Sequence, residues 1–190
     1  MNKKRPNLLV VAVNTPQTTI RNAARRQVRQ LLGELLPGET LISTPAQAIR
    51  LARPGSKIGI SVSHEVGLSL VAINYAGPVG IDLMHPQQTT GWSKQIPSLT
   101  QDYLGPEIAR KLATLPPDLQ ARNFAEAWTQ HEARLKYFGL GLQEWQPELD
   151  ERLASCQVEA LNLPSGYIGA MAYDSMKIQE ESCPGFRFSS

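Results

Sequence analysis

Glu132 and Lys136 stand four residues apart in the stretch Trp128-Thr129-Gln130-His131-Glu132-Ala133-Arg134-Leu135-Lys136. Around them Phe124, Trp128, His131, Leu135 and Phe138 recur at alternating spacings of four and three, which is one helical stripe facing a core. The pattern predicts a helix from Phe124 that is ended by Gly139. At about 100° per residue, Glu132 and Lys136 line up roughly 60–100° from the middle of that stripe, on the rim of the buried face. A carboxylate there can bind a metal or take a proton, and an ammonium one turn on can meet a phosphate. The same two residues also suit an ordinary solvated i, i+4 ion pair, and the helix alone leaves both readings open.

Two upstream segments supply further candidates. Lys57 to Ser63 alternates Ile58, Ile60 and Val62 against Gly59, Ser61 and Ser63, the period of a half-buried strand. His64-Glu65-Val66-Gly67 turns the chain into Leu68–Asn74, and Ala76-Gly77-Pro78 turns it again into Val79–Leu83. The reading is a three-stranded meander with Ser63, His64 and Glu65 at the mouth of one turn and Asp82 near the end of the third strand.

The remaining elements frame these. Leu8 to Val13 reads as a first strand, and Thr18 to Leu36 as a helix with Ile20, Ala24, Val28, Leu31 and Leu35 inward. A short strand at Leu41-Ile42 and a helix from Pro45 to Leu51 follow, with Thr44 as N-cap. Met84 to Pro97 reads as a loop and a boundary between halves 1–84 and 85–190, and Ser98 to Leu115 as partly helical. Strands are expected at Leu142–Trp145, Ser155–Leu161 and Tyr167–Tyr173, then a loosely held tail. Leu68–Asn74 and Ile168–Asp174 echo one another in hydrophobic type, which suggests two similar halves.

With 190 residues, 42% of them hydrophobic, the chain can bury a full core. A net charge of +2 demands neither nucleic acid nor a membrane as partner, although Arg21, Arg25, Arg26 and Arg29 crowd together and suit either a local anion or an ordinary solvated helix face. Cys156 and Cys183 have no partner at metal-ligand spacing and read as reduced thiols of a cytoplasmic protein. Lys3-Lys4-Arg5 before Leu8–Val13 imitates a signal peptide, but the apolar run is too short. No apolar stretch approaches the ~20 residues that cross a bilayer.

Taken in order, Ser61-Val62-Ser63-His64, Val79-Gly80-Ile81-Asp82 and the Trp128–Lys136 helix resemble the SxSH, G-(I/V)-D and W-(T/S)-x-K-E-(A/S)-x-x-K segments of the 4′-phosphopantetheinyl transferases. The resemblance covers about Arg53 to Leu142, and Gly166–Ala172 looks like the family's last strand. It implies an α+β fold of two similar halves related by a pseudo-twofold axis, acting as a monomer. It also implies Mg²⁺-dependent transfer of the phosphopantetheine arm of coenzyme A to a serine of an apo acyl or peptidyl carrier protein, releasing adenosine 3′,5′-bisphosphate. Mg²⁺ prefers oxygen ligands, so carboxylates suit it.

By that resemblance Asp82 and Glu132 are metal ligands, Glu132 helps deprotonate the incoming serine, and Lys136 neutralises phosphate charge. Ser63 and His64 are expected at the 3′-phosphate of the coenzyme, with Arg53 in Ala52-Arg53-Pro54, and Arg25 or Arg29 at the nucleotide. Two departures stand out. Met84 occupies a place where many members carry a third metal-ligating glutamate, which makes Glu65 the proposed third ligand with Asp82 and Glu132. His131 replaces the usual lysine, and serves either as a coenzyme contact or as a packed residue. These departures also motivate the alternative of a weak or inactive relative that binds coenzyme A or a carrier protein.

Overall fold

A computed structural model describes residues 7–15, 21–42, 49–86, 94–174 and 185–189. In chain order the elements are β1 (Leu8–Asn14), α1 (Arg21–Leu35), β2 (Leu41–Ile42), β3 (Arg50–Leu51), β4 (Gly59–Glu65), β5 (Leu68–Asn74) and β6 (Val79–Met84). After them come α2 (Ile96–Leu99), a π-helical turn (Thr100–Leu104), α3 (Pro106–Ala113), α4 (Pro117–Tyr137), α5 (Pro147–Ala154), β7 (Gln157–Ala160), β8 (Ile168–Tyr173) and β9 (Gly185–Ser189). Mixed helix and sheet is the α+β class expected from the sequence.

The strands form two main sheets, ordered β4-β5-β1-β9 and β6-β8-β7. The expected meander therefore breaks after its second strand. Both edges of β5 are already taken, one by β1 over Leu8–Asn14 and the other by β4 over Gly59–Glu65. With no edge left, β6 pairs antiparallel with β8, Asp82 opposite Ala170. Its six residues are all buried, so the sequence shows no alternation that would betray its partner.

The two sheets pack face to face. Leu8, Val10, Ala12, Leu68, Leu70 and Ala72 of the first meet Val79, Ile81, Leu83, Met171 and Tyr173 of the second in one buried cluster. The outer face of the first sheet is covered by α1 through Val28 and Leu32, which pack on Leu9, Val11, Val71 and Ile73. The outer face of the second is covered by α4, whose Ala133, Tyr137 and Phe138 lie on Ala170, Ala172 and Val158. The order through the molecule is α1, first sheet, second sheet, α4. The echoing segments β5 and β8 are each flanked by strands on both sides.

Other expectations are corrected. Leu142–Trp145 is not a strand: the Trp145 N–H donates to the Asp102 carbonyl (2.7 Å) and the indole lies against Gly105. Arg50 and Leu51, read as the end of a helix, pair with Ile42 and Leu41 as a short antiparallel ladder, and the rest of that helix lies mostly outside the described residues. The supposed loose tail contributes β9, which runs parallel to β1. Cys183 lies outside the described residues.

Helix α4 is longer than its sequence stripe suggests. It begins at Pro117 with proline in the first turn, where a missing N–H costs nothing. It ends in a Schellman closure, with Leu140 N–H on Leu135 O (2.9 Å), Gly139 N–H on Lys136 O (3.0 Å) and Gly139 at φ 66°. Its seat on β6 is set by Gly80. A Cβ there would overlap the Ala133 carbonyl and the Tyr137 amide, both helix backbone, so neither atom can swing aside.

Gly80→Ala should therefore push α4 off β6 and destabilise the chain by about 2–3 kcal/mol. Urea unfolding checks this, and an unchanged midpoint would mean that the helix does not rest on that strand.

Candidate active site

Alternation along β6 decides where Asp82 goes. Val79, Ile81 and Leu83 enter the core between the sheets, so Gly80, Asp82 and Met84 face α4. Asp82 is 8% exposed, and its Oδ1 accepts two hydrogen bonds: from Lys136 Nζ at 2.7 Å and from Ser63 Oγ at 2.9 Å. Lys136 Nζ also donates to the Ile81 carbonyl at 3.1 Å. A lysine on the second sheet's covering helix thus meets a carboxylate on its edge strand, across 54 residues of sequence.

Glu132 sits nearer the centre of the buried face than the sequence stripe implied. Ala125, Thr129 and Ala133 are buried along with Phe124, Trp128, His131 and Leu135, so small residues widen the contact face. The neighbours His131 and Ala133, about 100° to either side of Glu132, are both buried. Burial raises the Glu132 pKa above the ordinary glutamate value, the negative charge of Asp82 raises it further, and Lys136 opposes them. A fully solvated ion pair is therefore not what this helix carries.

The serines of the SxSH segment serve a different purpose from the one read in the sequence. Ser61 and Ser63 occupy one face of β4, opposite Ile60 and Val62. Ser61 Oγ accepts the Ile81 N–H at 3.0 Å, and Ser63 Oγ gives its proton to Asp82. The edge strands β4 and β6 belong to different sheets, and these side chains join them where no backbone ladder does. A hydroxyl has one proton to donate, so Ser63 in this arrangement is not a phosphate donor. The two serines' buried face was visible in the sequence as period-two alternation, but its neighbour was not. Tyr167 is a second tie the sequence did not signal: its hydroxyl donates to the Val66 carbonyl at 2.7 Å.

His64 lies on the other face of the first sheet, where its Nδ1 and Ser69 Oγ form a 2.8 Å hydrogen bond. Glu65 caps its own turn, with Oε1 accepting the Val66 N–H at 3.2 Å. Among the described residues no three His, Cys, Asp or Glu side chains gather as a metal-holding group, so the set Asp82, Glu65 and Glu132 is not assembled in this conformation. Met84, in place of a further carboxylate, is buried with Ile96, Leu104, Phe124 and Trp128. An acid there would be desolvated without compensation.

His131, read as a coenzyme contact or a packed residue, is buried in this structure. It is 8% exposed, and desolvation first, then the positive charge of Arg134, lowers its pKa to about 4, with Asp150 of α5 pulling the other way. An imidazole held neutral under α5 is a packed residue. Arg53 is exposed and pairs with Glu39 at 2.7 Å, beside an open depression of about 440 Å³ lined by Ile42, Arg50, Leu51, Ser56 and Ile58. That depression is not bounded by Asp82 or Glu132. Arg25 is exposed on α1, the helix on the far side of both sheets from α4.

The chemistry of the donor set fits a divalent cation with oxygen ligands. Asp82 and Glu132 come from different elements and repel one another in a half-buried site, and one lysine does not cancel two carboxylates. A cation held by both would relieve that repulsion.

Known proteins share similarity with part of this chain. Residues 78–170 match the family model described as "4′-phosphopantetheinyl transferase superfamily", a segment that includes β6, α4 and the first half of β8. A "4′-phosphopantetheinyl transferase HetI" from Nostoc sp. (strain PCC 7120) is 30% identical over 128 residues, covering 63% of this chain and 52% of the relative. The chain thus spans about half the length of this curated relative. The matched segment contains the glycine that seats the helix, the carboxylates on facing elements and the lysine between them, and over these residues the chain is similar to the 4′-phosphopantetheinyl transferase superfamily.

Proposed function

We propose that this chain transfers 4′-phosphopantetheine from coenzyme A to a serine hydroxyl of an acyl or peptidyl carrier protein. The observation that carries the reading is the meeting of Asp82 with Lys136, and of Asp82 electrostatically with Glu132, in one half-buried site inside the segment that matches the family. The serine oxygen attacks the phosphorus that bears the pantetheine arm, and the bridging P–O bond breaks. Adenosine 3′,5′-bisphosphate leaves with the bond's electron pair.

Each residue's part follows from its surroundings. Asp82 and Glu132 would hold Mg²⁺, which when bound offsets charge on the diphosphate. Glu132 takes the serine proton, a role suited by a pKa that burial and the Asp82 charge raise above the ordinary glutamate value. Lys136, already within reach of both the Asp82 carboxylate and the Ile81 carbonyl, meets the charge that grows on the leaving oxygen. The basic edge formed by Arg50 and Arg53 on the open depression suits the 3′-phosphate of the coenzyme, with His64 and Arg25 as further candidates around the nucleotide. The two halves, 1–84 and 85–190, act as one monomeric, cytoplasmic unit, with β6 and β9 each pairing with a strand of the other half. Met84 and His131, which motivated a non-catalytic alternative, are core residues, so neither favours that reading.

Incubation with coenzyme A, Mg²⁺ and an apo carrier protein should add one phosphopantetheine mass to the carrier. Coenzyme binding with no mass gain on any of several carriers would contradict the reading. Glu132→Gln should lower kcat by about 10²–10⁴-fold, while leaving the fold intact.

The same substitution has a second expected outcome, in the metal-free chain. Because the folded-state pKa of Glu132 is raised, the folded chain holds this proton more tightly than the unfolded chain, and ionised Glu132 costs stability above the raised value. Glu132→Gln should thus raise Tm at pH 7–8, and the gain should vanish below the ordinary glutamate range. A variant less stable than the parent at neutral pH would show that the charge is welcome there.

A further inference from the structure

We propose that Ser63 is a positioning residue for the carboxylate of Asp82, setting which oxygen that side chain offers to a cation; this rests on the reading of Asp82 and Glu132 as metal ligands. Both protein donors found on Asp82, Ser63 Oγ at 2.9 Å and Lys136 Nζ at 2.7 Å, converge on the same oxygen, Oδ1. They approach from different elements, a strand of the first sheet and the helix over the second. Two donors on one oxygen fix the rotation of the carboxylate about its last bond, and they leave Oδ2 as the oxygen available to a cation. The lysine can do this only until a diphosphate draws its ammonium away. The serine cannot leave: Ser63 is 7% exposed on a strand paired along its whole length with β5, and Ser61 Oγ beside it clamps the Ile81 amide one residue before Asp82. When Lys136 turns to the substrate, Ser63 alone keeps the carboxylate in register.

Such outer-shell hydrogen bonds change metal affinity by about 10–100-fold when removed. Mn²⁺ titration of the intact chain, following free Mn²⁺ by electron paramagnetic resonance, reads this directly. Ser63→Ala should weaken Mn²⁺ binding by at least about tenfold, and Ser63→Thr, which restores the hydroxyl, should recover most of it. Coenzyme A binding in the presence of a chelator should be unchanged by Ser63→Ala. Should the alanine variant fail to fold, Ser63→Cys keeps the size of the side chain with a weaker donor, and it should bind Mn²⁺ less tightly than the parent.

The inference is overturned if Ser63→Ala or Ser63→Cys binds Mn²⁺ as the parent does. It is overturned equally if the alanine variant instead loses metal-free coenzyme binding, which would make Ser63 a phosphate contact. A parent chain that binds no Mn²⁺ at all, with or without coenzyme A, would refute the metal site itself, a separate failure.

Discussion

The close approach of one helix backbone to one strand backbone, at Gly80, governs the rest of the structure. Side chains of ordinary size between α4 and β6 would hold Lys136 away from Asp82. With no side chain at Gly80, the Ala133 carbonyl comes down onto the strand, and a lysine one turn beyond Glu132 reaches a carboxylate two residues beyond the glycine. The G-(I/V)-D segment is thus a packing rule followed by a chemical group. Its glycine admits the helix, its isoleucine anchors the strand in the core between the sheets, and its aspartate uses the proximity.

The second constraint is the seam between the sheets. Strands β4 and β6 come together as edges of different sheets, and the hydrogen bonds that join them there are made by serine side chains. Buried hydroxyls must find partners, and here the partners are the amide and the carboxylate of the site itself. Structural and functional demands fall on the same few atoms, so the SxSH segment reads as a reagent in the sequence and as a joint in the fold. Repulsion between Asp82 and Glu132 is a cost that a stability-driven design would remove, and a cation held by both would relieve it.

Much of this was legible in the sequence. The three motif segments, the α+β class and most strands followed from periodicity and turn residues, because half-buried elements advertise their faces. What escaped was information about partners. Val79–Met84 is buried on both sides, so nothing in its letters says which sheet receives it. The face of α4 was drawn from its large apolar residues, and the alanines and threonine that widen it carry little hydrophobic signal. With them counted, half-buried Glu132 lies between buried residues on either side and not at the rim that the large residues alone define. The resemblance points Ser63 at a phosphate, and only the position of β6 reveals its hydrogen bond to Asp82. His131 stands at an angle that the sequence leaves ambiguous, and its burial is visible only in the fold.

In the proposed function Asp82 and Glu132, from two elements seated together by a glycine, share one divalent ion. The most direct measurement is the anomalous scattering of Mn²⁺ in crystals of the chain grown with coenzyme A. A peak within coordination distance of carboxylate oxygens of both Asp82 and Glu132 is the predicted result. A peak bound elsewhere, with these two side chains on separate ligands or none, would contradict it.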